Sequence, residues 1–232
     1  MISHKQSKTF NNININEMKK VIFASLMFAL LFGAVDTFAQ GLGVKGSFNM
    51  FNLSEEDLLG DKVKNKMIPT FDAGVFLEIP LVPEFYIRPE LLFAQKGGEY
   101  EGVHETKARI NYLELPVLFL YKGGLGDSHV LLGFGPYVSY GLMGKVKSDA
   151  AELDVKFKSD VKLTDVLSAL YVKPFDFGAK IMAGYEFSGG LSFALYASLG
   201  LSDIEPKVAG KELDSSIKNV GFGLSLGYRF GK

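Results

Sequence analysis

The chain has 232 residues, of which 47% are apolar and 22% are charged, a composition typical of a folded domain. Its formal net charge of −1 provides no basic excess for nucleic-acid binding, so we expect no nucleic-acid partner. The absence of cysteine excludes disulfide bonds and thiolate metal sites.

The first segment, residues 1–39, has the pattern of a secretory signal. Two lysines precede an uncharged, mostly apolar stretch at 21–35, and the small residue Ala39 ends the segment. The apolar stretch has 15 residues, fewer than the roughly 20 that a membrane-spanning helix needs. We therefore expect translation to start at Met18, cleavage to follow Ala39, and the mature domain to occupy 40–232.

Beyond residue 40 the dominant pattern has a period of two, with bulky apolar residues alternating with small or polar ones. Such alternation over segments of about ten residues is typical of transmembrane β-barrels. The pattern predicts eight strands, at 41–51, 70–79, 84–95, 108–121, 128–142, 174–187, 190–201 and 218–230. We therefore predict an all-β fold, an eight-stranded antiparallel transmembrane β-barrel with up-and-down meander topology.

The predicted connections alternate in length, as they do in outer-membrane barrels with short periplasmic turns and long external loops. The short turns are rich in proline and glycine and lie at 80–83, 122–127 and 188–189. The long loops are charged and lie at 52–69, 96–107, 143–173 and 202–217. This arrangement places both ends of the barrel domain in the periplasm.

The two faces of the predicted strands differ in chemistry. In 174–187, Phe177 and Ile181 share one face, and Asp176 and Lys180 share the other. We expect the apolar face to contact lipid and the small, charged face to line a narrow lumen. The predicted lumen charges are Lys45, Asp72, Glu78, Arg88, Glu90, Glu114, Asp176, Lys180, Glu186 and Arg229.

Charges withdrawn from bulk water must be paired or hydrated, because burying an isolated charge costs several kcal/mol. We therefore interpret the lumen charges as a salt-bridge network that plugs the barrel. Two alternatives remain open at this point. The charges could form an ion path through a porin-like diffusion channel, or the barrel could be a soluble periplasmic protein that holds an apolar ligand inside.

Several motifs resemble a known family. They are YIRPELLF at 86–93, NYLELP at 111–116, GFGPY at 133–137, GYE at 184–186 and GYRF at 227–230. In this order they resemble the outer membrane protein beta-barrel domain family of Bacteroidetes, also called PorT-like or porin-family proteins. The resemblance covers nearly all of the predicted barrel and implies an outer-membrane barrel of about this size. One member of that family is associated with type IX secretion, which adds a further alternative for the function.

The resemblance also implies a role for the alternating apolar residues at the end of the last predicted strand. The barrel-assembly machinery would read Leu224, Leu226, Tyr228 and Phe230 as its recognition signal. Gly231 and Lys232 follow the final phenylalanine, which departs from a strictly terminal aromatic residue.

A search for catalytic motifs favours a protein that is not an enzyme. After the signal segment, His104 and His129 lie 25 residues apart, without a spacing that binds metal, and we expect no cofactor. His104 stands beside Glu105 in a predicted external loop, where a lipid A-modifying site would lie, but a solvated loop histidine is the simpler interpretation.

The loop at 143–173 is long enough to carry function. It contains charged residues, a stretch in which Val155 and Phe157 alternate with lysines, and a segment at 163–170 that could form a short helix. We predict a monomeric outer-membrane protein with a plugged lumen, which serves envelope structure or binds a partner through its external loops. Expected partners are outer-membrane lipid, lipopolysaccharide, the barrel-assembly machinery and an envelope protein bound by this loop.

Overall fold

The computed structural model describes residues 41–56, 62–63, 65–100, 106–148, 152–162, 170–212 and 215–231, and it places them in an all-β fold. The predicted signal segment and its cleavage site lie outside the described residues. Within the described ranges, no helix has the length and apolar character needed to cross a membrane.

Eight long strands form the barrel in the described part of the chain. They are β1 (Leu42–Glu56), β2 (Ile68–Leu77), β3 (Phe85–Tyr100), β4 (Thr106–Leu125), β5 (Ser128–Lys147), β6 (Phe175–Glu186), β7 (Leu191–Gly200) and β8 (Ser216–Arg229). Each strand pairs antiparallel with its neighbours in sequence. β1 also pairs with β8, from Gly43 opposite Arg229 to Glu56 opposite Ser216. This last pairing closes the sheet, so the predicted eight-stranded meander is confirmed.

The alternation along the strands shows which face lies inside. In β6, Phe177 and Ile181 are 50% and 57% exposed, whereas Asp176 and Lys180 are 0% and 4% exposed. In β8, Leu224 is 53% exposed. The charged face therefore lines the interior and the apolar face covers the outside, as contact with hydrocarbon requires. A soluble barrel would need the reverse arrangement, which the structure does not show.

Outward aromatic side chains contact one another in two groups, as expected for the two membrane interfaces. Near the short turns, Phe85 stacks on Phe119 with ring centroids 5.5 Å apart, and Tyr228 meets Phe230 at 5.4 Å. Near the long loops, Tyr140 and Phe175 have ring centroids 5.2 Å apart. Because outer-membrane barrels have short periplasmic turns and longer external loops, the first group belongs to the periplasmic end and the second to the external end.

Four strands extend well beyond the bounds that their alternation predicts. β1 continues to Glu56, β3 continues to Tyr100, β4 runs from Thr106 to Leu125, and β5 continues to Lys147. Much of the predicted loop 96–107 and of the predicted turn 122–127 is therefore strand. The charges of 96–107 predicted a loop and the glycines of 122–127 predicted a turn, but strand pairing continues into both segments. Gly97 and Gly98 permit close packing at this end of the barrel. A Cβ atom on Gly98, for example, would lie 2.7 Å from the backbone nitrogen of Leu53.

The external loops contain short strands of their own. Glu152–Phe157 pairs antiparallel with β5, and Leu170–Val172 pairs parallel with Glu152–Phe157. Asp160–Val161 pairs parallel with Lys207–Val208, which joins two loops that are far apart in sequence. The helix suggested at 163–170 falls mostly on residues outside the described ranges, and Leu170 begins a strand.

Candidate functional site

The lumen is the best-defined polar site in the described part of the barrel. The structure places all ten predicted lumen charges on the inner wall, and it adds two lysines, Lys96 and Lys122. We call these twelve groups the lumen network. Its members are six cations and six carboxylates, namely Lys45, Arg88, Lys96, Lys122, Lys180, Arg229, Asp72, Glu78, Glu90, Glu114, Asp176 and Glu186.

The periplasmic end of the lumen network joins β4, β6 and β8 to Glu78, which directly follows β2. The Nζ atom of Lys122 lies 2.8 Å from Glu78 Oε2 and 2.9 Å from Glu186 Oε2. The guanidinium group of Arg229 donates two hydrogen bonds to Glu186 Oε1, at 2.9 and 3.2 Å. Because Lys122 bridges two carboxylates and Arg229 holds one of them, this end is crossed by a continuous set of ion pairs.

The middle of the lumen network lies on the wall formed by β1, β2 and β3. The Nε atom of Arg88 lies 3.0 Å from Glu90 Oε1, and Lys45 Nζ lies 3.0 Å from Glu90 Oε2. On the same wall, Asp72 accepts hydrogen bonds from the Ser47 hydroxyl at 2.8 Å and from the hydroxyl of Tyr196 across the lumen. The middle layer therefore combines ion pairs with neutral donors, which satisfy the remaining carboxylate oxygens.

The external end of the lumen network is centred on Glu114, which is fully buried. Lys96 Nζ lies 2.6 Å from Glu114 Oε2 and 2.9 Å from Asp176 Oδ2, and Lys180 pairs with the other oxygen of Glu114. Asn219 donates a hydrogen bond to Asp176 at 3.0 Å. Two lysines from different strands thus share one carboxylate, and one of them also reaches a second carboxylate.

A tyrosine connects the middle and external layers. The Nζ atoms of Lys45 and Lys180 lie 5.4 and 4.9 Å from the centroid of the Tyr196 ring, within cation–π range. Leu118, Leu120 and other apolar side chains pack around the same ring from the opposite wall. The lumen at this depth is therefore occupied by ion pairs on one side and by close-packed apolar groups on the other.

The balance of charge depends on the two lysines that the sequence reasoning left out. Without Lys96 and Lys122 the predicted set had two more carboxylates than cations. Lys96 falls in the predicted loop 96–107, a charged segment, and Lys122 falls in the predicted turn 122–127, where the following glycines are turn signals. The spacing of two residues from Ala94 to Lys96, and from Leu120 to Lys122, continues the inward face and would have identified them.

The other predicted residues have these positions. The side chains of Leu224, Leu226, Tyr228 and Phe230 all point outward and are exposed, and their reading by the assembly machinery stays a prediction. His104 and Glu105 lie outside the described residues. In the described ranges, no group of three or more histidine, aspartate and glutamate side chains has an arrangement that could hold a metal ion.

Comparison with known sequences identifies the family. The family described as "Outer membrane protein beta-barrel domain" matches residues 38–205. The chain belongs to this family. No curated protein matches the chain. Membership of the outer membrane protein beta-barrel domain family, together with the outward apolar surface, places the protein in the outer membrane, as predicted. The narrower resemblance to Bacteroidetes PorT-like proteins stays a hypothesis, because the family description names no such group.

Several solved structures of outer-membrane proteins are similar at low identity. The attachment invasion locus protein Ail of Yersinia pestis is 12% identical, with a TM-score of 0.43 over 82% of this chain and 99% of that chain. OprG from Pseudomonas aeruginosa is 12% identical, with a TM-score of 0.46 over 84% of this chain and 98% of that chain. Neisserial surface protein A is 10% identical, with a TM-score of 0.43 over 82% and 97%. Similarities at this level carry no argument about function.

Proposed function

We propose that this protein is a non-catalytic, non-conducting outer-membrane barrel with a sealed lumen, which stabilises the envelope or binds an envelope partner through its external part. The observation that carries the proposal is the equal number of cations and carboxylates in the lumen network, with ion pairs at both ends and in the middle of the barrel.

The seal follows from the size of the barrel and from the cost of opening it. Eight strands enclose a space that side chains can fill, with little room for a water-filled channel. An ion moving through would have to separate buried pairs such as Lys96 with Asp176, and breaking a buried pair costs about 3–5 kcal/mol. Because pairs of this kind occur at both ends and in the middle, several would have to open together.

The external part offers a surface for a partner. β4 and β5 each have 20 residues, or about 66 Å of strand, whereas a membrane-spanning strand needs about 9–11 residues. Their external halves therefore project beyond the bilayer. Glu152–Phe157 continues this projection and presents an exposed lysine, Lys156, between the inward Val155 and the half-buried Phe157.

Conductance measurement in planar lipid bilayers tests the sealed lumen. We expect the folded wild-type protein to give no steady current steps above those of the bilayer alone. Leu199→Ala, which changes only the lipid-facing surface, serves as the matched control for insertion and should be equally silent. Steady single-channel steps from the wild type would overturn the proposal and support the diffusion-channel alternative.

Photo-cross-linking in intact cells tests partner binding. A cross-linking amino acid at Lys156 should give adducts with one envelope protein, whereas the same amino acid at the lipid-facing Leu195 should not. Absence of a protein adduct at Lys156 would contradict a partner at this site. The type IX secretion hypothesis makes the narrower prediction that the adduct contains a component of that machinery.

A further inference from the structure

On the external side of the lumen network, the inward-facing residues of the barrel change from charged to apolar. Along β4 the inward residues are apolar from Ala108 to Tyr112 and become charged at Glu114. Leu53, Ile110 and their neighbours form a buried apolar cluster with residues of the external loops, including Ile204. The barrel therefore has an apolar chamber at its external end, closed below by the ion pairs of Glu114.

The roof of this chamber is built from two loops that are connected to each other. The Lys173 ammonium group lies 2.9 Å from Asp203, and the backbone N–H of Lys173 donates a hydrogen bond to the Ile204 carbonyl at 2.8 Å. Asp203 also accepts a hydrogen bond from the backbone N–H of Ile217 at 2.9 Å, which ties the roof to β8. The parallel pairing of Asp160–Val161 with Lys207–Val208 adds a second connection between the loops.

A partly open cavity of about 210 Å³ lies in this chamber. Most of its lining side chains are aliphatic, and polar groups are contributed by Glu205 and by two tyrosines. The barrel strands contribute Leu53, Ala108 and Ile110, and the external loops contribute Val172, Ile204 and Val208. Those contributed by the strands belong to the inward faces, so the cavity belongs to the external mouth of the barrel and not to its lipid-facing surface.

We propose that this cavity binds one small apolar molecule from the external medium, of the size of a bicyclic or substituted aromatic compound, with one hydrogen-bond donor. An apolar cavity of about 150 Å³ accommodates benzene, so a cavity of about 210 Å³ fits a somewhat larger ring system. Covering the apolar lining with a ligand is favourable, because it removes apolar surface from water. The carboxylate of Glu205, which accepts a hydrogen bond from Ser215, supplies the acceptor for the ligand's donor group.

The same features argue against a membrane lipid as the occupant. The strand residues that line the cavity point away from the bilayer, and the ion pairs around Glu114 close the floor. An acyl chain would have to leave the lipid-facing surface and cross the barrel wall to enter. A small molecule that reaches the mouth through water meets no such barrier.

Indole is a suitable probe, because it is a bicyclic aromatic molecule with one N–H donor. The chain contains no tryptophan, so the folded protein adds no indole emission of its own to that of the probe and the nanodisc. Titration of the full-length folded protein in lipid nanodiscs should give saturable, blue-shifted emission above that of empty nanodiscs. Ala108→Phe, which fills the cavity, should weaken binding at least tenfold, and Ala183→Phe on the lipid-facing surface should leave it unchanged.

A second filling variant, Val208→Phe in the external loop, gives the same test if Ala108→Phe does not fold. The proposal is overturned if the wild type binds no more indole than empty nanodiscs, or if a folded filling variant binds as tightly as the wild type. It is also overturned if native mass spectrometry finds a retained lipid that Ala108→Phe or Val208→Phe excludes, since an acyl chain would then be the occupant. Conductance is not measured here, so the result is independent of the sealed-lumen proposal.

Discussion

The most informative perturbation of the lumen network is Glu114→Gln, because this carboxylate serves two lysines. In the described part of the chain, Lys180 forms its ion pair with Glu114, whereas Lys96 also pairs with Asp176 at 2.9 Å. Removal of the charge at Glu114 therefore leaves the buried Lys180 without a directly paired carboxylate, and among the described residues only the more distant Asp72 and Glu90 stabilise its charge. Removing one partner of a buried pair costs about 3–5 kcal/mol, and because Lys96 keeps a partner we expect about 3 kcal/mol.

The reciprocal change, Lys180→Met, should cost less. Glu114 would keep its ion pair with Lys96 at 2.6 Å and its hydrogen bond from the Ser139 hydroxyl at 2.8 Å. Because the buried carboxylate keeps these partners, we expect the free energy of unfolding to fall by about 1 kcal/mol. Combining the two changes removes the unpaired ammonium group. The double variant should therefore be more stable than the sum of the single effects predicts, by about 1–2 kcal/mol.

Urea unfolding in lipid vesicles, followed by circular dichroism and by the gel mobility of unheated samples, measures these differences. The asymmetry between the two single variants is the decisive result, because it depends on the pairing geometry and not on loss of charge in general. Equal costs for Glu114→Gln and Lys180→Met, or strictly additive effects in the double variant, would show that the reasoning is wrong.

Three further outcomes can be measured in the same unfolding assay. Leu195→Arg, at an outward position 65% exposed in the isolated chain, should cost about 2–4 kcal/mol in lipid, and a smaller loss would place it away from the bilayer centre. Gly135→Ala should cost about 1–3 kcal/mol, because its Cβ would lie 2.0 Å from a carbonyl oxygen, whereas Gly189→Ala meets nothing within 4 Å and should be neutral. Burial, with a neighbouring carboxylate, raises the pKa of Glu55 above 4.5, so the native state holds this proton more tightly than the unfolded state. Glu55→Gln should therefore stabilise the external mouth at pH 7, and this gain over the wild type should disappear as the pH falls through the raised pKa; a gain that persists at pH 3 would contradict this.

The number of strands and the orientation of their faces could be predicted from the sequence, because alternation is a local property of each strand. A residue such as Ile181 points away from Lys180 whatever the neighbouring strand is. Strand ends were less predictable. The extension of β3 to Tyr100 depends on pairing with the start of β4, and the extension of β4 to Leu125 depends on pairing with β5.

The partners within the site could not be predicted in the same way. Lys96 and Asp176 are 80 positions apart, and Lys122 and Glu186 are 64 apart. Which cation meets which carboxylate depends on the register of every strand between them, because a shift of one residue would turn each side chain to the other face.

By itself the sequence determined that this chain alternates in chemistry every second residue, so that each strand has one bulky apolar face and one small, charged face. Only the tertiary structure decided that the lumen charges balance, and that two distant loops join in parallel to roof an apolar chamber. The physical reason is the range of the interactions. Alternation is set by the covalent geometry of one strand, whereas ion pairing and loop packing require the closed barrel to bring distant residues together.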